Sequence, residues 1–561
     1  LPELGRGTIT NLDGFFTITV PADSVRLDVS YVGYHAGLYR LGVFRDTRLP
    51  VRLSRAGLLS VVEVRAPAPG TGKAEVLPKE PGRARLPAPV LERMPGILGE
   101  NDALHALDWL PGVQTGTGNL GGLSVRNGGN GHNLLLLDGA QVYNPNHLLG
   151  LFSVFNGSAV KDVELIKGAM PARYGGRLSS VVAVNGREGD YNQWGGEASL
   201  GLIVGKGLIE GPIIPGKMSF LVSARRSWWD WLAQSIVGEI DPDLRLGYHF
   251  GDLNAKVKHK VSERDDWSFT LYLGQDKFRF RDTQDSLGFI TPPGSPDPVA
   301  NRRTDRIGLL WNNKAASLTW NRVWNDRLFS SSSLAFSDYR FRFDQGSERQ
   351  DYQDPPVTFE SFDALYLSGI RDLSLRSDFD LNLAARLRLN FGGSFIWHRF
   401  LPQASGEGFF NLTFDSEFGQ PVAGGRQVEF NPLKLDAYES GAYAELRVDG
   451  DRLRWQLGLH VAGFYHDHFY WSPQPRLQVN YDLGRDHEFI AAFRWNEQYA
   501  HLITNNAVSL PTDLWAPSTR RVAPQQSWQA SLGWQKYWGE DVSFRLEGYY
   551  HDLRRLTTFA A

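Results

Sequence analysis

Arg452–Ala462 reads RLRWQLGLHVA. Leu453, Trp455, Leu457, Leu459 and Val461 point one way, and Arg452, Arg454, Gln456, Gly458 and His460 the other. Side chains that alternate with period two belong to a strand with one apolar and one wet face. The pattern recurs. In WSFTLYLG, Trp267, Phe269, Leu271 and Leu273 oppose Ser268, Thr270 and Tyr272. In RLRLNFGGSFIWHRF, Leu387, Leu389, Phe391, Phe395 and Trp397 oppose Arg386, Arg388, Asn390, Ser394 and His398. WQASLGWQKYW and VSFRLEGYYHDL repeat it. These runs reach ten residues or more, whereas strands of soluble sandwiches are usually about 5–6 and a tilted strand crossing a bilayer needs about 9–11. Aromatic residues gather towards the strand ends: Trp228-Trp229, Tyr465, Phe469-Tyr470-Trp471, Tyr537-Trp538 and Tyr549-Tyr550. An interfacial girdle belongs there. Short connections such as VDGDR and LGRDH alternate with long polar ones such as RDTQDSLGFITPPGSPDPVANRRTDR and DQGSERQDYQDPPVTFESF, as in an outer-membrane barrel. Lys or Arg on the lipid face at mid-bilayer costs roughly 2–4 kcal/mol. Arg386, Arg388, Arg452 and Arg454 therefore mark a wet lumen, and the opposite face meets lipid.

Composition agrees with this class. The 561 residues carry a net charge of -3, no Cys and 17 Trp. The near-neutral balance leaves no electrostatic footprint for nucleic acid, and without Cys there is no disulfide, thiolate metal site or Cys nucleophile. No apolar run of about 18 residues exists for a transmembrane helix, and barrel strands escape a hydropathy window because only half of their residues are apolar. Neither end reads as a natural terminus: no charged or apolar leader follows Leu1, and the chain is expected to continue past Ala561.

Four regions follow along the chain. Residues 1–57 read as short strands of a small, incomplete β-sandwich, with turn residues at Asn11–Gly14 and alternation in SVRLDVSYVGY. Residues 58–97 hold a β-prone run, LLSVVEV, and a Pro/Gly-rich linker of extended character. The GTGK in the linker is no phosphate loop, because Pro67 stands where the first glycine belongs and Ala74 where Ser or Thr would hold a cation. Residues 98–188 form a compact α/β unit. In it Leu104, Leu107 and Leu110 share one helical side that Pro111-Gly112 stops, and Asp138-Gly139 marks a hairpin. Residues 189–561 carry the long alternating strands. The α/β unit contains GTGNLG, Gly116–Gly121, which fits G-x-G-x-x-G. A dinucleotide site needs a strand before those glycines and a helix after them, and here the order is reversed. The glycines are expected to let loops turn sharply against a surrounding wall.

These residues resemble TonB-dependent outer-membrane receptors of the type with an N-terminal carboxypeptidase-regulatory-like domain. LGENDALHALDWLPGVQ, LSVRNGGNGHNLLLLDGAQVYNPNHLLGLFSVFN and AVKDVELIKGAMPARYGGRLSSVVAV are similar to the family's plug domain. GLIEGPI with GKMSFLVSARRS is similar to its first barrel strands, LPTDLWAPST to a segment late in its barrel, and GTITNLDGFFTITVP with SVRLDVSYVGY to the regulatory-like domain. One departure is VRNGG, where the family has a glycine directly after the arginine. The resemblance implies a mainly β fold, a transmembrane antiparallel β-barrel plugged by a small α/β domain and preceded by a partial β-sandwich. In the family the barrel has 22 strands. At ~22–25 residues per strand and loop, the region after residue 189 holds about fifteen, so the barrel is expected to be incomplete at its C-terminus.

The resemblance also implies a bacterial outer-membrane location and energised import. A ligand of unspecified chemistry binds on the plug apex and long loops, with a surface lipoprotein as an accessory, and TonB of the inner-membrane energy-transducing complex pulls on a short N-terminal box. The membrane's lipid is the other partner. SVVEV, Ser60, Val61, Val62, Glu63 and Val64, is the candidate box, suited to strand addition; it reads equally as the last strand of the sandwich. Arg126, Asp138, Arg173 and Arg177 match positions where the family carries charge, and are candidates for plug–barrel charge contacts, against the plainer reading of solvated surface charge. His466, Asp467 and His468 place two imidazoles on one strand face but lack a third ligand, so no metal site is assigned. Neither a cofactor site nor a catalytic constellation can be assigned, and the chain is not read as an enzyme. Phe409-Phe410 could stack on a ligand or pack loops together. The rival readings are a passive porin or surface adhesin, which lack an N-terminal plug, and a secreted β-rich hydrolase, which requires convergent acid/base residues.

Overall fold

The computed structural model describes residues 82–96, 98–115, 122–147, 150–287, 299–351, 358–414, 421–427, 433–484, 486–503, 514–538 and 542–557, with parts of 1–53. Statements here concern those residues; Ser60–Val64 lies outside them.

Long alternating sequences built one antiparallel sheet. Fifteen strands follow one another in chain order along it, from Gly195–Leu200 to Val542–Arg554, and the short strand Pro421–Gln427 pairs off this path onto Leu387–Phe414. Each pair is antiparallel, with register unbroken in pairs such as Leu453–Tyr465 with Phe469–Gly484 and shifted locally in others, as at Leu367/Gly369. In Leu453–Tyr465 the apolar set Leu453, Leu457, Leu459 and Val461 is exposed. Between them Gly458, His460 and Ala462 are buried. Exposed Trp267, Phe269 and Leu273 alternate in the same way with buried Thr270 and Tyr272. Exposed apolar rows on a sheet that curls around a polar interior are lipid-facing rows. Tyr465, Phe469, Trp471, Trp538 and Tyr550 are exposed on that side, as a girdle requires, whereas Tyr549 faces the plug, with the Arg126 guanidinium 4.7 Å from its ring.

The four arginines read as mid-bilayer lumen markers sit elsewhere. Arg386 and Arg452 lie at short turns, where Arg386 pairs with exposed Asp451; Arg388 donates to Asn382, and Arg454 pairs with Glu488 near the same rim. Inward they face, but the charge argument rests instead on Arg225, Arg476 and Arg494, which are buried inside the barrel. Much of the two long polar connections is also strand. Asp265–Leu287, Val299–Val323, Leu328–Asp351 and Thr358–Ala384 run on as paired ribbons well beyond bilayer thickness. Cross-strand ion pairs such as Arg302–Asp285 and Arg306–Asp363 suit this polar sequence to a hydrated ribbon.

Inside the barrel lies the α/β unit. Its sheet has the order Arg83–Pro87, Val160–Ile166, Ser180–Gly186, Asn133–Leu137, Ala140–Gln141, with the third and fourth strands parallel. Arg83–Pro87, placed in the linker by its prolines, is thus an edge strand of this unit. Leu86, Leu107, Val125, Val163, Leu165, Val182 and Val184 form its core. Leu104, Leu107 and Leu110 are buried as expected, but on a 3₁₀ turn, His105–Trp109, rather than an α-helix. A spacing of three matches the three residues per turn of that helix. Asp138 and Gly139 take φ of 45° and 86°, the left-handed pair of a tight hairpin. Val113–Thr115 and Leu123–Val125 pair antiparallel, and the GTGNLG stretch, residues 116–121, lies outside the described residues. At the N-terminus the sandwich reduces, among the described residues, to Asp23–Val29 paired with Gly37–Val43. It docks on the plug and rim through Tyr31 donating to Asp162, and Phe15 stacked on Phe329 at 5.0 Å.

Facing rules give a direct test. Leu459→Arg, mid-strand on the lipid face, is expected to destabilise the folded barrel by roughly 2–4 kcal/mol. Gln456→Arg on the inner face should stay within about 0.5 kcal/mol. Heat-modifiable gel mobility across a urea series measures both; equal losses would mean the faces are assigned wrongly.

Candidate functional site

A plug inside a wet barrel presents a buried polar interface, so each charge at it needs a partner. The deepest part of the seat centres on His147 of the plug. Its Nε2 lies 2.7 Å from Asp252 and its Nδ1 contacts Asp276, carboxylates of neighbouring barrel strands. Asp252 also accepts from Arg225 at 2.7 Å and from Tyr272 at 2.8 Å, and Tyr248 donates to Asp276. Arg225 reaches back to the plug, donating to the Ser153 carbonyl at 2.7 Å and lying 3.5 Å from Glu100. Asp102 joins the plug side by capping the 3₁₀ turn, accepting from the Leu104 and His105 amides at 2.8 and 3.1 Å. Burial pushes the His147 imidazole down, but Asp252 and Asp276 outweigh it and hold the pKa up to about 9. The ring is a cation clamped between two strands' carboxylates.

A second seat lies at Tyr143, which donates to Asp372; His398 Nδ1 sits 2.7 Å from the same carboxylate and its Nε2 3.5 Å from Glu439. Above it, Ala500–Ile503 pairs with Leu514–Pro517 in a hairpin folded into the barrel, with Trp515 edge-on to Tyr143 at 4.8 Å. This is the LPTDLWAPST stretch. Its seating is tight: a Cβ on Gly131 of the plug would come within 2.6 Å of the Leu502 side chain. Around the rest of the wall, Arg476 donates to the Pro171 and Tyr174 carbonyls and Arg494 to the Ser179 carbonyl. Glu445 accepts from the Ala172 amide at 2.6 Å.

Of the four charges read from sequence, three meet a barrel partner. Arg126 pairs with Glu547, Asp138 accepts from Lys256 at 2.9 Å and from Thr270 at 2.8 Å, and Arg173 pairs with Asp378 at 2.9 Å. Arg177 differs. It is buried, donates to the Gly176 carbonyl and lies 5.3 Å from the Trp515 ring, with no barrel carboxylate in its contacts among the described residues. In VRNGG, Arg126 and Asn127 both take left-handed φ, 50° and 63°. Asn tolerates that region better than other non-glycine residues, which accounts for its place where a glycine is expected. His466–His468 is not on a strand face: it forms the turn between Leu453–Tyr465 and Phe469–Gly484. His466 contacts the Asp436 carbonyl, Asp467 accepts from the Arg520 amide, and no group of three metal-ligating residues occurs among the described residues. Phe409-Phe410 falls within Leu387–Phe414, its side chains outside the described set. Missed altogether were His147, Asp252, Asp276 and Arg225. Alternation marks them as inward, but nothing local says that they converge.

A cavity of 1490 Å³ lies between the plug, the wall and the N-terminal unit, whose Leu27, Asp28, Val29 and Tyr31 also line it. It extends from the rim at Arg447, Asp451 and Arg454 past Arg173–Arg177 to Asp372 and His398.

These features define a plugged transmembrane barrel. No curated protein matches the chain. Residues 92–182 match the TonB-dependent Receptor Plug Domain family. Among solved structures, a mutant of the ferric enterobactin receptor PfeA from Pseudomonas aeruginosa is 15% identical, with 85% of this chain and 71% of that one covered at a TM-score of 0.53. The copper transporter OprC is 11% identical, over 85% and 72% at 0.54. The siderophore receptor PiuA from Acinetobacter baumannii is 10% identical, over 83% and 71% at 0.51. The chain therefore carries a TonB-dependent receptor plug domain within a barrel of the TonB-dependent receptor fold, and it is an outer-membrane protein.

His147 sets a pH dependence. Its pKa is raised from 6.5 to about 9, so its contribution to seating is complete below about pH 6.5 and is lost as pH rises through about 9. In planar bilayers, the urea concentration that opens the barrel is expected to fall between pH 6.5 and 10 in the wild type. In His147→Gln it should start lower and stay flat across that range. A parallel pH slope in both proteins would remove His147 from the seat.

Proposed function

We propose that the chain imports a ligand across the outer membrane by TonB-driven rearrangement of the plug. The observation that carries this reading is the chemistry of the plug–wall interface. Ion pairs and hydrogen bonds run along it, and most of the plug's apolar core lies within the plug, with Tyr272, Ala315 and Ala335 joining from the wall. A polar surface can leave its seat without exposing a large apolar area, and water can replace its partners. The cavity beside the plug, lined by charged side chains such as Arg173, Arg376 and Asp378, supports a route on that flank. Arg126, Asp138 and Arg173 act as seat contacts that break and reform, and Arg177 supports the inward hairpin through Trp515.

Ligand contact falls to the plug apex and that hairpin, where Tyr143, Tyr339, Phe341, Phe464, Tyr499 and Trp515 form one aromatic cluster. Energy must arrive mechanically through an extended N-terminal segment, and Ser60–Val64 is the proposed TonB contact, by strand addition. A surface lipoprotein can present the ligand. The carboxypeptidase-regulatory-like assignment of the N-terminal unit remains part of this proposal. A passive pore is the weaker alternative, because the plug fills the lumen.

Two experiments test the reading. Deleting residues 98–188 is expected to turn a closed barrel into an open conductor in planar bilayers; a folded barrel that stays nonconducting would refute the plug's role. Photocrosslinkers at Val61 and Val62 should join the chain to the TonB C-terminal domain, and absence of any adduct, with the barrel folded, would overturn the box assignment.

A further inference from the structure

The N-terminal unit has a small apolar core of its own. Leu1, Val25 and Leu27 are buried in it, and Phe16, Ile18, Tyr39 and Leu41 pack around them. A unit that buries its own apolar side chains can dock and undock as one body. It stands at the rim of short turns, which in such barrels is the periplasmic one. Phe15 stacks on Phe329, near the start of Leu328–Asp351, with ring centroids 5.0 Å apart. Thr17 Oγ1 accepts from the Asn382 amide at 3.0 Å.

Tyr31 makes the contact to the plug. Its hydroxyl donates to Asp162 Oδ2 at 3.1 Å, the same oxygen that Arg85 Nη2 reaches at 2.8 Å. The Arg85 guanidinium also lies 5.7 Å from the Tyr31 ring. Arg85 belongs to the plug's edge strand, Arg83–Pro87, and Asp162 to Val160–Ile166, the strand it pairs with. Tyr31 therefore bridges the seam between the two. Burial and the Asp162 carboxylate push the Tyr31 phenol up, so it keeps its proton and stays a donor. Asn185 gives Asp162 a further donor at 2.7 Å. The carboxylate thus keeps two partners when Tyr31 leaves, and release strands no buried charge.

The same unit borders the cavity beside the plug. Leu27, Val29 and Tyr31 line it from one side, and Ser331, Ser333 and Arg388 from the wall. Ser333 lies four residues beyond Phe329, about 13 Å further along the strand.

We propose that the docked N-terminal unit is an autoinhibitory stopper, which covers the periplasmic end of this cavity and, through Tyr31, braces the plug's edge strand against its neighbour. It acts in series with the plug: a plug displaced while the unit stays docked leaves the route closed. One ring pair, one hydroxyl contact and one bridge to a carboxylate hold it, a set that can part and be hydrated. The stopper describes the resting chain, and its test uses neither TonB nor ligand, so its failure is separate from failure of the import reading.

The chain has no Cys, so single introduced cysteines report cleanly. Full chain in detergent carries Ser333→Cys, in the cavity, or Glu263→Cys, exposed on a short turn, and is labelled with a polyethylene-glycol maleimide. In the Tyr31→Phe/Phe15→Ala background the Ser333→Cys rate is expected to rise about tenfold or more, the shift that loss of one hydrogen bond to a charged group gives. The Glu263→Cys rate should stay unchanged. Docking is read separately, as the oxidative disulfide yield of Thr17→Cys/Asn382→Cys, which should be high in the otherwise native chain and fall steeply in the same background. No disulfide in the otherwise native chain would overturn the docking, and an undiminished yield in the variant would overturn the latch. A lost disulfide with an unchanged Ser333→Cys rate, in a chain of native heat-modifiable mobility, would overturn the stopper.

Discussion

Everything within the barrel depends on one constraint: charges taken out of water must find partners across the boundary between plug and wall. His147 meets it with two carboxylates from neighbouring strands. Arg225 meets it by binding Asp252 while donating to the plug backbone. Removing one member of such a set leaves an uncompensated buried charge, which costs about 3–5 kcal/mol. Replacing the whole set by apolar side chains could be as stable or more so. The polar solution has a different merit, which is that the two surfaces can part and be hydrated separately.

That choice divides the molecule into layers with different physics. The plug's core is a mainly aliphatic set around Leu107, Val163 and Val182, joined from the barrel by Tyr272, Ala315 and Ala335. The barrel has an inward cluster of its own, in which Trp311, Tyr339, Phe341, Ile370, Phe400 and Phe464 gather around the plug's Tyr143. Its outer apolar rows are satisfied by lipid, and its strands by backbone pairing along the sheet. Backbone carbonyls serve as acceptors for the wall's buried guanidiniums, as Pro171, Tyr174 and Ser179 do for Arg476 and Arg494. Such contacts hold the plug by the shape of its main chain and not by the identity of its side chains.

The outward surface follows a second rule, set by depth. Where the side chains face hydrocarbon they are Leu, Phe and Trp, and where the strands rise beyond it they become charged, with Arg279, Arg281 and Arg306 among Asp344, Glu348 and Asp363. The paired ribbons continue upward as strands because cross-strand ion pairs and backbone bonding suit a hydrated hairpin as well as a membrane. A chain segment of polar alternation therefore reads as a loop by composition and folds as sheet.

Read alone, the amino-acid order determined the local and periodic features. Alternation at Leu453–Val461 and Trp267–Leu273 assigned lipid and lumen faces, since a period of two admits a single division of side chains between them. Asp138-Gly139 specified a hairpin because few residue pairs accept two left-handed positions. The three-residue spacing of Leu104, Leu107 and Leu110 announced a buried side, though not which helix would bury it. Only tertiary structure brought His147 to Asp252 and Asp276, more than one hundred residues away, joined Arg126 to Glu547 and set Arg177 beside the Trp515 ring, with no carboxylate against it among the described residues. It also moved His466–His468 from a strand to a turn and folded Leu514–Pro517 inward over Tyr143. Those outcomes depend on which strand lies beside which around the plug. Sequence periodicity carries a side chain's facing but holds no record of the angle around the barrel at which it will stand.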